Sequence, residues 1–464
     1  MFARPRPQSP FICLRCLRKA SLSQTQIPRH SPSTTRPQRR PFTSSTTFRS
    51  SNNPPPPPPS GVTALPHRRL ISLSGRDAAK FLQGLTTNNV SPFATTGWYT
   101  AFLNAQGRVL YDCFVYPASS VRGYREWLSG EGGGKGGDGL DWGCFIEVDG
   151  SVLEEVTKHL KRHKLRSKVN IRLVGDGEWG VWAAWDDAAP SASSHSEAGA
   201  AGERRGIDRS SGDSIGHTSL SDTSTSLIHI PDSRTPKFGH RIVSTQPPTS
   251  SSLTLPPPLE HLKQTPTSSY HLRRLLHGIP EGPSEIPPSS ALPLEHNMDL
   301  MSGIDFRKGC YVGQELTIRT KHTGVVRKRV LPVQLYGADS AEPQRLEYDP
   351  EWAGPSPPKD ADIKGFDALS GGRKGRAAGK FITAMSNVGL AMCRLEMMTD
   401  IRLTAESAGA GAHVPGTEFG IKWVVDDPQE GQEGGREEVV KIKAFVPDWH
   451  KERGWEGKVQ RRVG

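Results

Sequence analysis

The chain has 464 residues, enough for two or three domains at roughly 100–200 residues each. Its 59 Lys and Arg exceed its 48 Asp and Glu by 11, a balance that would suit a nucleic acid or a membrane surface if it were spread evenly. It is not: thirteen basic residues, from Arg4 to Arg76, precede the first acid, Asp77, and the remainder carries 46 basic against 48 acidic residues. The body therefore offers no global attraction for phosphate backbones, and no nucleic-acid partner is expected. No run approaches the roughly 18–20 consecutive apolar residues of a membrane helix, so no membrane insertion is expected either. Gly and Pro together make 87 residues, above ordinary globular usage, and part of the chain should stay unfolded.

Residues 1–60 are rich in Arg, Ser, Thr and Pro and hold no acid, the composition of an organellar transit peptide. The mitochondrial matrix is the expected destination. A secretory signal is excluded, because no apolar stretch follows the charged start. Cys13 and Cys16 form a C-x-x-C inside this leader, with no second pair to complete a zinc site. The other four cysteines, Cys113, Cys144, Cys310 and Cys393, are scattered and read as free thiols. Six prolines at 54–59 read as a stiff polyproline spacer between leader and body.

Further on, Ser74 is placed to cap a helix with Asp77 in its first turn, because Ala78, Phe81, Leu82 and Leu85 recur on one helical face. Segments 98–103 and 109–116 alternate like strands around the turn Asn104-Ala105-Gln106-Gly107, a hairpin. Ser151 and Glu154 have capping-box spacing before the helical run Val152, Val156, Leu160. Segments 170–174 and 180–185 read as a second hairpin. The turn between them matches G-x-G-x-x-G literally, but a strand-like run follows where a dinucleotide site needs a helix. A helix over 270–277 is closed by Gly278 and Pro280. Short β-like runs at 329–335, 388–396, 421–425 and 438–446 suit a small antiparallel barrel or sandwich. The polar stretches around 187–266, 338–372 and 426–437, with the glycine loop 132–139, read as disordered inserts.

One segment carries chemistry: K-G-C-Y-V-G-Q-E at 308–315. Gly309 permits a sharp turn and 312–319 favours helix, which would set Cys310 at a helix N-terminus beside Arg307 and Lys308. Helix dipole and cations would both favour thiolate, the form that attacks electrophiles or binds iron. Gln314 and Glu315, one turn on, could orient a ligand. His322 is the nearest candidate base. A single cysteine cannot hold an iron–sulfur cluster by itself, so any cluster at Cys310 would need ligands from a partner or a small thiol.

The same eight residues resemble the K-G-C-Y-x-G-Q-E signature of the YgfZ-type, aminomethyltransferase-like (GcvT-like) folate-binding family, relatives of the glycine cleavage T-protein. Further blocks fall in family order: F-L-Q-G-L-T-T at 81–87, Q-G-R-V-L-Y-D at 106–112, 274–282 ending G-I-P-E-G, and P-L-E at 293–295. H-T-G-V-V-R-K-R at 322–329, Gly379-Lys380 with N-V-G-L at 387–390, and K-A-F-V-P at 443–447 complete the set. The resemblance implies an α+β fold: a folate-binding region over 61–335 around a central channel, and a small C-terminal antiparallel β-barrel domain over 336–464. With the leader, it also implies a mitochondrial role late in iron–sulfur cluster assembly. There Cys310, supported by Lys308, Gly309, Tyr311, Gly313, Gln314 and Glu315, would help hold a transient 2Fe–2S cluster shared with an A-type scaffold protein. The clients would be 4Fe–4S apoproteins such as aconitase-type enzymes and lipoate and biotin synthases. Arg108, Asp112, Arg274 and Glu295 occupy the family blocks expected to contact tetrahydrofolate.

The alternative is a tetrahydrofolate-dependent one-carbon transferase. Against it, aminomethyltransferases show paired acids where this chain has Tyr111-Asp112 and Gly-Gly where it has Gly107-Arg108, and they lack the cysteine motif. An assembly factor is therefore preferred to a catalyst.

Overall fold

The computed structural model describes residues 53–129, 141–189, 227–246, 253–257, 259–370, 376–401, 416–425 and 436–454. The leader up to residue 52, the loop 132–139 and residues 190–226 and 426–435 of the expected inserts lie outside the described residues.

Strands β1 (Ser60–Ala64) and β2 (Arg68–Ser74) open the body, followed by α1 (Ala78–Gln83). The residue before α1 is Asp77, whose carboxylate accepts the Lys168 amide instead of capping the helix, so Ser74 ends a strand and caps nothing. The expected hairpin forms as β3 (Trp98–Leu103) and β4 (Val109–Pro117). After α2 (Arg122–Ser129) and β5 (Gly143–Asp149), a 3-10 turn leads into α3 (Leu153–Lys164). The expected capping box does not form. Asp149, two residues before Ser151, takes the Ser151 amide at 2.9 Å, because an aspartate at a strand end reaches it first.

Next come β6 (Asn170–Leu173) and β7 (Gly180–Asp186), which do not pair with each other. β6 adds to β2, while β7 lies between β1 and β9 (His240–Ser244), with β8 (Leu227–Pro231) on the far side of β9. The turn at 175–178 thus carries the chain from one sheet to another. Two antiparallel sheets result, β3-β4-β5-β2-β6 and β1-β7-β9-β8. The stretch read as one insert over 187–266 is therefore broken by two strands. Leu227, Ile228, Ile230, Ile242 and Val243 face the core from them, and further along Leu259 and Leu262 are buried beside β1. Ser, Thr and Pro dominate the composition there, but a few correctly spaced aliphatic residues are enough for an edge strand.

Helix α4 (Thr267–His277) ends at Gly278, whose φ of +71° is the left-handed stop read from the sequence. A long stretch of turns leads to α5 (Gln314–Thr323) and then to the barrel. The barrel comprises β10 (Lys328–Tyr336), β11 (Asp362–Gly365), β12 (Gly379–Met385), β13 (Val388–Arg394), β14 (Phe419–Val425) and β15 (Arg436–Ala444). They close in the order β10-β13-β12-β11-β14-β15, all antiparallel, leaving no open edge. β10 pairs with both β13 and β15, so the barrel begins at Lys328 and the expected boundary at 335 falls inside a strand. β11 likewise lies within the stretch 338–372 read as an insert, where four residues suffice to bridge β12 and β14.

Leu331, Val333 and Phe381 of the barrel join Tyr99, Phe114 and Ile279 in one apolar cluster. The barrel and the preceding sheets share a core.

Candidate functional site: the cradle of Cys310

Three sequence blocks far apart in the chain meet around Cys310. The first is the end of α1. The ammonium of Lys308 donates to the carbonyls of Gln83 (2.8 Å), Thr86 (2.6 Å) and Asn88 (2.9 Å). A lysine has three N–H donors, and all three are used. Burial lowers its pKa to about 8, against the pull of Asp305. The amides of Asp305 and Val312 add bonds to the Thr87 and Gly84 carbonyls, both 3.1 Å.

The second block is the β3–β4 turn. Gly107 and Gly313 both have left-handed backbone, φ +76° and +80°. A Cβ on Gly313 would stand 2.2 Å from the Asn104 carbonyl oxygen, and one on Gly107 2.9 Å from the Gly313 oxygen. Only glycine lets these two backbones touch. Asn104 shapes the turn itself by accepting the Gln106 and Arg108 amides at 3.0 and 2.9 Å.

The third block is α5. Its side chain Gln314 turns back to accept the Tyr311 amide at 3.3 Å, while Tyr311 is buried with its ring 4.9 Å from the Lys308 nitrogen. Glu315 is exposed in the first turn, and His322 is exposed in the last. The cradle leaves Gly309 in open space and Cys310 exposed, whereas Cys113, Cys144 and Cys393 are buried.

This geometry corrects the expected placement of Cys310 at a helix N-terminus. Left-handed Gly313 precedes α5, so the helix starts four residues after Cys310 and the cysteine lies outside its first turn. The left-handed residue is Gly313, not Gly309. The Lys308 ammonium is held by the carbonyls at the end of α1 and in the turn after it. What the fold provides is presentation: an exposed thiol on a loop pinned at both sides. Among the described residues no group of three or more His, Cys, Asp or Glu is placed to hold a metal ion. A cluster at Cys310 would take its other ligands from another molecule.

The four residues expected at tetrahydrofolate fall into two pairs, Asp112 and Arg274 on either side of the 281–282 segment, and Arg108 near Glu295. Arg274 lines a cavity of about 220 Å³ with His67, His271, Glu281, Glu285 and Met385. Its guanidinium is already held by both Glu285 oxygens, at 2.7 and 2.9 Å. Asp112 is buried outside that lining: one oxygen accepts the Gly282 amide at 3.1 Å, and the other is 3.7 Å from Arg68. Burial raises its pKa. Arg108 donates to the Ser290 carbonyl at 2.7 Å, and Glu295 is half-buried, its pKa raised by burial against Lys328 and Arg108. Ligand cavities usually span about 300–1,000 Å³. Of the four, only Arg274 lines this smaller space, and its guanidinium is already paired.

Sequence reasoning missed the largest charge assembly. Arg68, Arg234 and Arg241 are fully buried and share Glu147, Asp232 and Glu281. Tyr270 joins through both Arg241 and Glu281 at 2.6 Å, and Tyr116 donates to Glu147. Burial would raise the Glu281 carboxyl, but Arg241, Arg234 and Arg68 outweigh it and hold it well below the usual range. The available signal was the D-x-R at 232–234 between two short aliphatic runs, which the surrounding polar composition hid.

Relatives of this chain have been described. It is 43% identical over 405 residues to the mitochondrial iron–sulfur cluster assembly factor IBA57 homologue of Coccidioides immitis, covering 85% of this chain and 84% of that one. The homologue of Aspergillus clavatus is 42% identical over 465 residues, covering 97% and 91%. That of Pyricularia oryzae is 43% identical over 393 residues, covering 84% and 85%. The chain belongs to the IBA57 family of mitochondrial iron–sulfur cluster assembly factors. The family model described as the CAF17 C-terminal beta-barrel domain matches residues 327–418, in keeping with a barrel that begins at β10. The chain is also similar to the crystal structure of glycine cleavage system aminomethyltransferase T from Bartonella henselae, with TM-score 0.46 and 11% identity, covering 83% and 85%.

Proposed function

We propose that this chain matures iron–sulfur proteins in the mitochondrial matrix, with Cys310 supplying one thiolate to a 2Fe–2S cluster shared with an A-type scaffold protein. The cluster is cargo on its way to 4Fe–4S clients such as aconitase-type enzymes and lipoate and biotin synthases. The observation that carries this is the cradle: the exposed cysteine sits on a loop that Lys308, Val312 and Gly313 lock to α1 and the β3–β4 turn. A loop so fixed presents sulfur to a docked partner without having to be ordered first. As the iron–sulfur bond forms, the thiol proton leaves to solvent and a partner ligand is displaced.

Charge supports a protein partner. Between Phe306 and Lys328 stand Arg307, Lys308, Arg319, Lys321, Arg327 and Lys328 against the single acid Glu315, in a body of nearly balanced charge. Arg307, Lys321 and Arg327 are exposed. Such a face steers an acidic surface toward Cys310. Tetrahydrofolate takes no step in this reading.

The test is anaerobic mixing with an A-type scaffold carrying 2Fe–2S, followed by absorbance and Mössbauer spectroscopy. Native chain is expected to form a shared cluster and Cys310→Ala to form none while melting at the same temperature. Identical spectra for both would overturn the proposal. Association is expected to slow about tenfold between low and high salt, and Lys321→Glu with Arg327→Glu to slow it at low salt.

A further inference from the structure

The six prolines read as a spacer are docked. Asn53 donates through its side-chain amide to the carbonyls of Pro350 (3.0 Å) and Trp352 (2.9 Å). The Tyr348 hydroxyl donates to the Pro54 carbonyl at 2.5 Å, and the Trp185 indole to the Pro58 carbonyl at 2.9 Å. The Asp187 amide takes the Pro59 carbonyl at 2.9 Å, and β1 begins at the next residue. Within the proline run itself, each bonded group is a carbonyl and each of its partners is a donor. That is what a polyproline segment demands, since it has no N–H to give.

The receiving surface is itself built. Asn387, 2% exposed, donates to the Glu347 carbonyl at 2.9 Å and accepts the Asp349 amide at 2.8 Å. Ser386 donates to the Asp349 carbonyl at 2.6 Å. These bonds hold the loop that carries Tyr348 and Trp352 to the end of β12 and the start of β13. Trp185 is 1% exposed on β7. Pro54, Pro57 and Pro58 are half-buried, whereas Pro55, Pro56 and Pro59 are exposed. A polyproline II helix has three residues per turn, so this is one face turned inward.

We propose that Trp185, Tyr348 and the loop through Trp352 form a polyproline-binding groove whose ligand is the chain's own 53–59 segment. The strap so formed ties β7 to the barrel. It follows that import processing, in which water adds across one peptide bond and leaves a new α-ammonium, cuts before Asn53 and spares the strap.

Two measurements test this. The full chain is imported into mitochondria, recovered, and its N-terminus read by mass spectrometry. A first residue at or before Asn53 is expected, and one at Pro54 or later overturns the proposal. Separately, the full chain bearing Pro54→Gly, Pro57→Gly and Pro58→Gly is compared with the native chain. The variant is expected to melt about 2 °C lower or more and to bind a free peptide of residues 51–60 saturably by tryptophan fluorescence. The native chain, its groove filled, should bind that peptide at least tenfold more weakly, and adding Tyr348→Phe should weaken binding to the opened groove. A variant that melts as the native chain does and takes up no peptide would overturn the groove.

Discussion

At Gly313 the backbone is left-handed and a side chain would run into the Asn104 carbonyl, 2.2 Å from its first carbon. Gly313→Ala must therefore move either α5 or the β3–β4 turn, and Cys310 lies three residues away. We expect a loss of about 1–3 kcal/mol, measured by urea unfolding, with slower cluster sharing although the thiol is intact. An unchanged unfolding midpoint would show that the two loops are not locked together. The motif that contains Gly313 was legible in the sequence, but its geometry was not. Gly309 looked like the turn and Lys308 like the activating charge. The distribution of φ between the two glycines, and the presence of three carbonyls between Gln83 and Asn88 within reach of one ammonium, depend on segments more than 200 positions away.

Among the elements, strands that alternate strongly or meet across an obvious turn were readable. The β3–β4 hairpin, α4 with its glycine stop and most barrel strands stand where spacing puts them. β8 and β9 were not readable, because a short strand owes its existence to the neighbours it pairs with more than to its own composition. Arg241 on β9 shows what that pairing carries. It bonds Glu147, Asp232, Tyr270 and Glu281 and is fully buried, so Arg241→Met leaves three carboxylates short of a countercharge. The expected cost is about 3–5 kcal/mol by chemical denaturation. A loss below about 1 kcal/mol would mean that Arg68 and Arg234 neutralise the cluster without it.

For the whole molecule, the shared core buries imidazoles as well as apolar groups. Burial lowers His296 to about 4 and His450 to about 3, with Arg329 adding to the latter, and His271 and His277 to about 4. In the unfolded chain a histidine protonates near pH 6.5. Between about 6.5 and 4 the unfolded state therefore binds more protons, and stability falls as the pH is lowered through that window. From pH 7 to pH 5 we expect a loss of about 1–2 kcal/mol for each of the fully buried His296 and His450, seen as a falling urea midpoint. A midpoint that stays level over this range would contradict their burial.

Residue order alone pointed to the mitochondrion and to the family, both of which the relatives share, and it singled out Cys310 as the residue on which the proposed function rests. These are local properties: charge, spacing and an eight-residue word. The tertiary structure decided that Lys308 pins a loop, that three arginines are buried among shared carboxylates, and that the carbonyls of the proline run face donors on β7 and the barrel loop. Each of those depends on which distant backbone supplies the facing carbonyl or carboxylate. Hydrogen bonds and ion pairs are won by proximity in space, and no spacing along the chain encodes it.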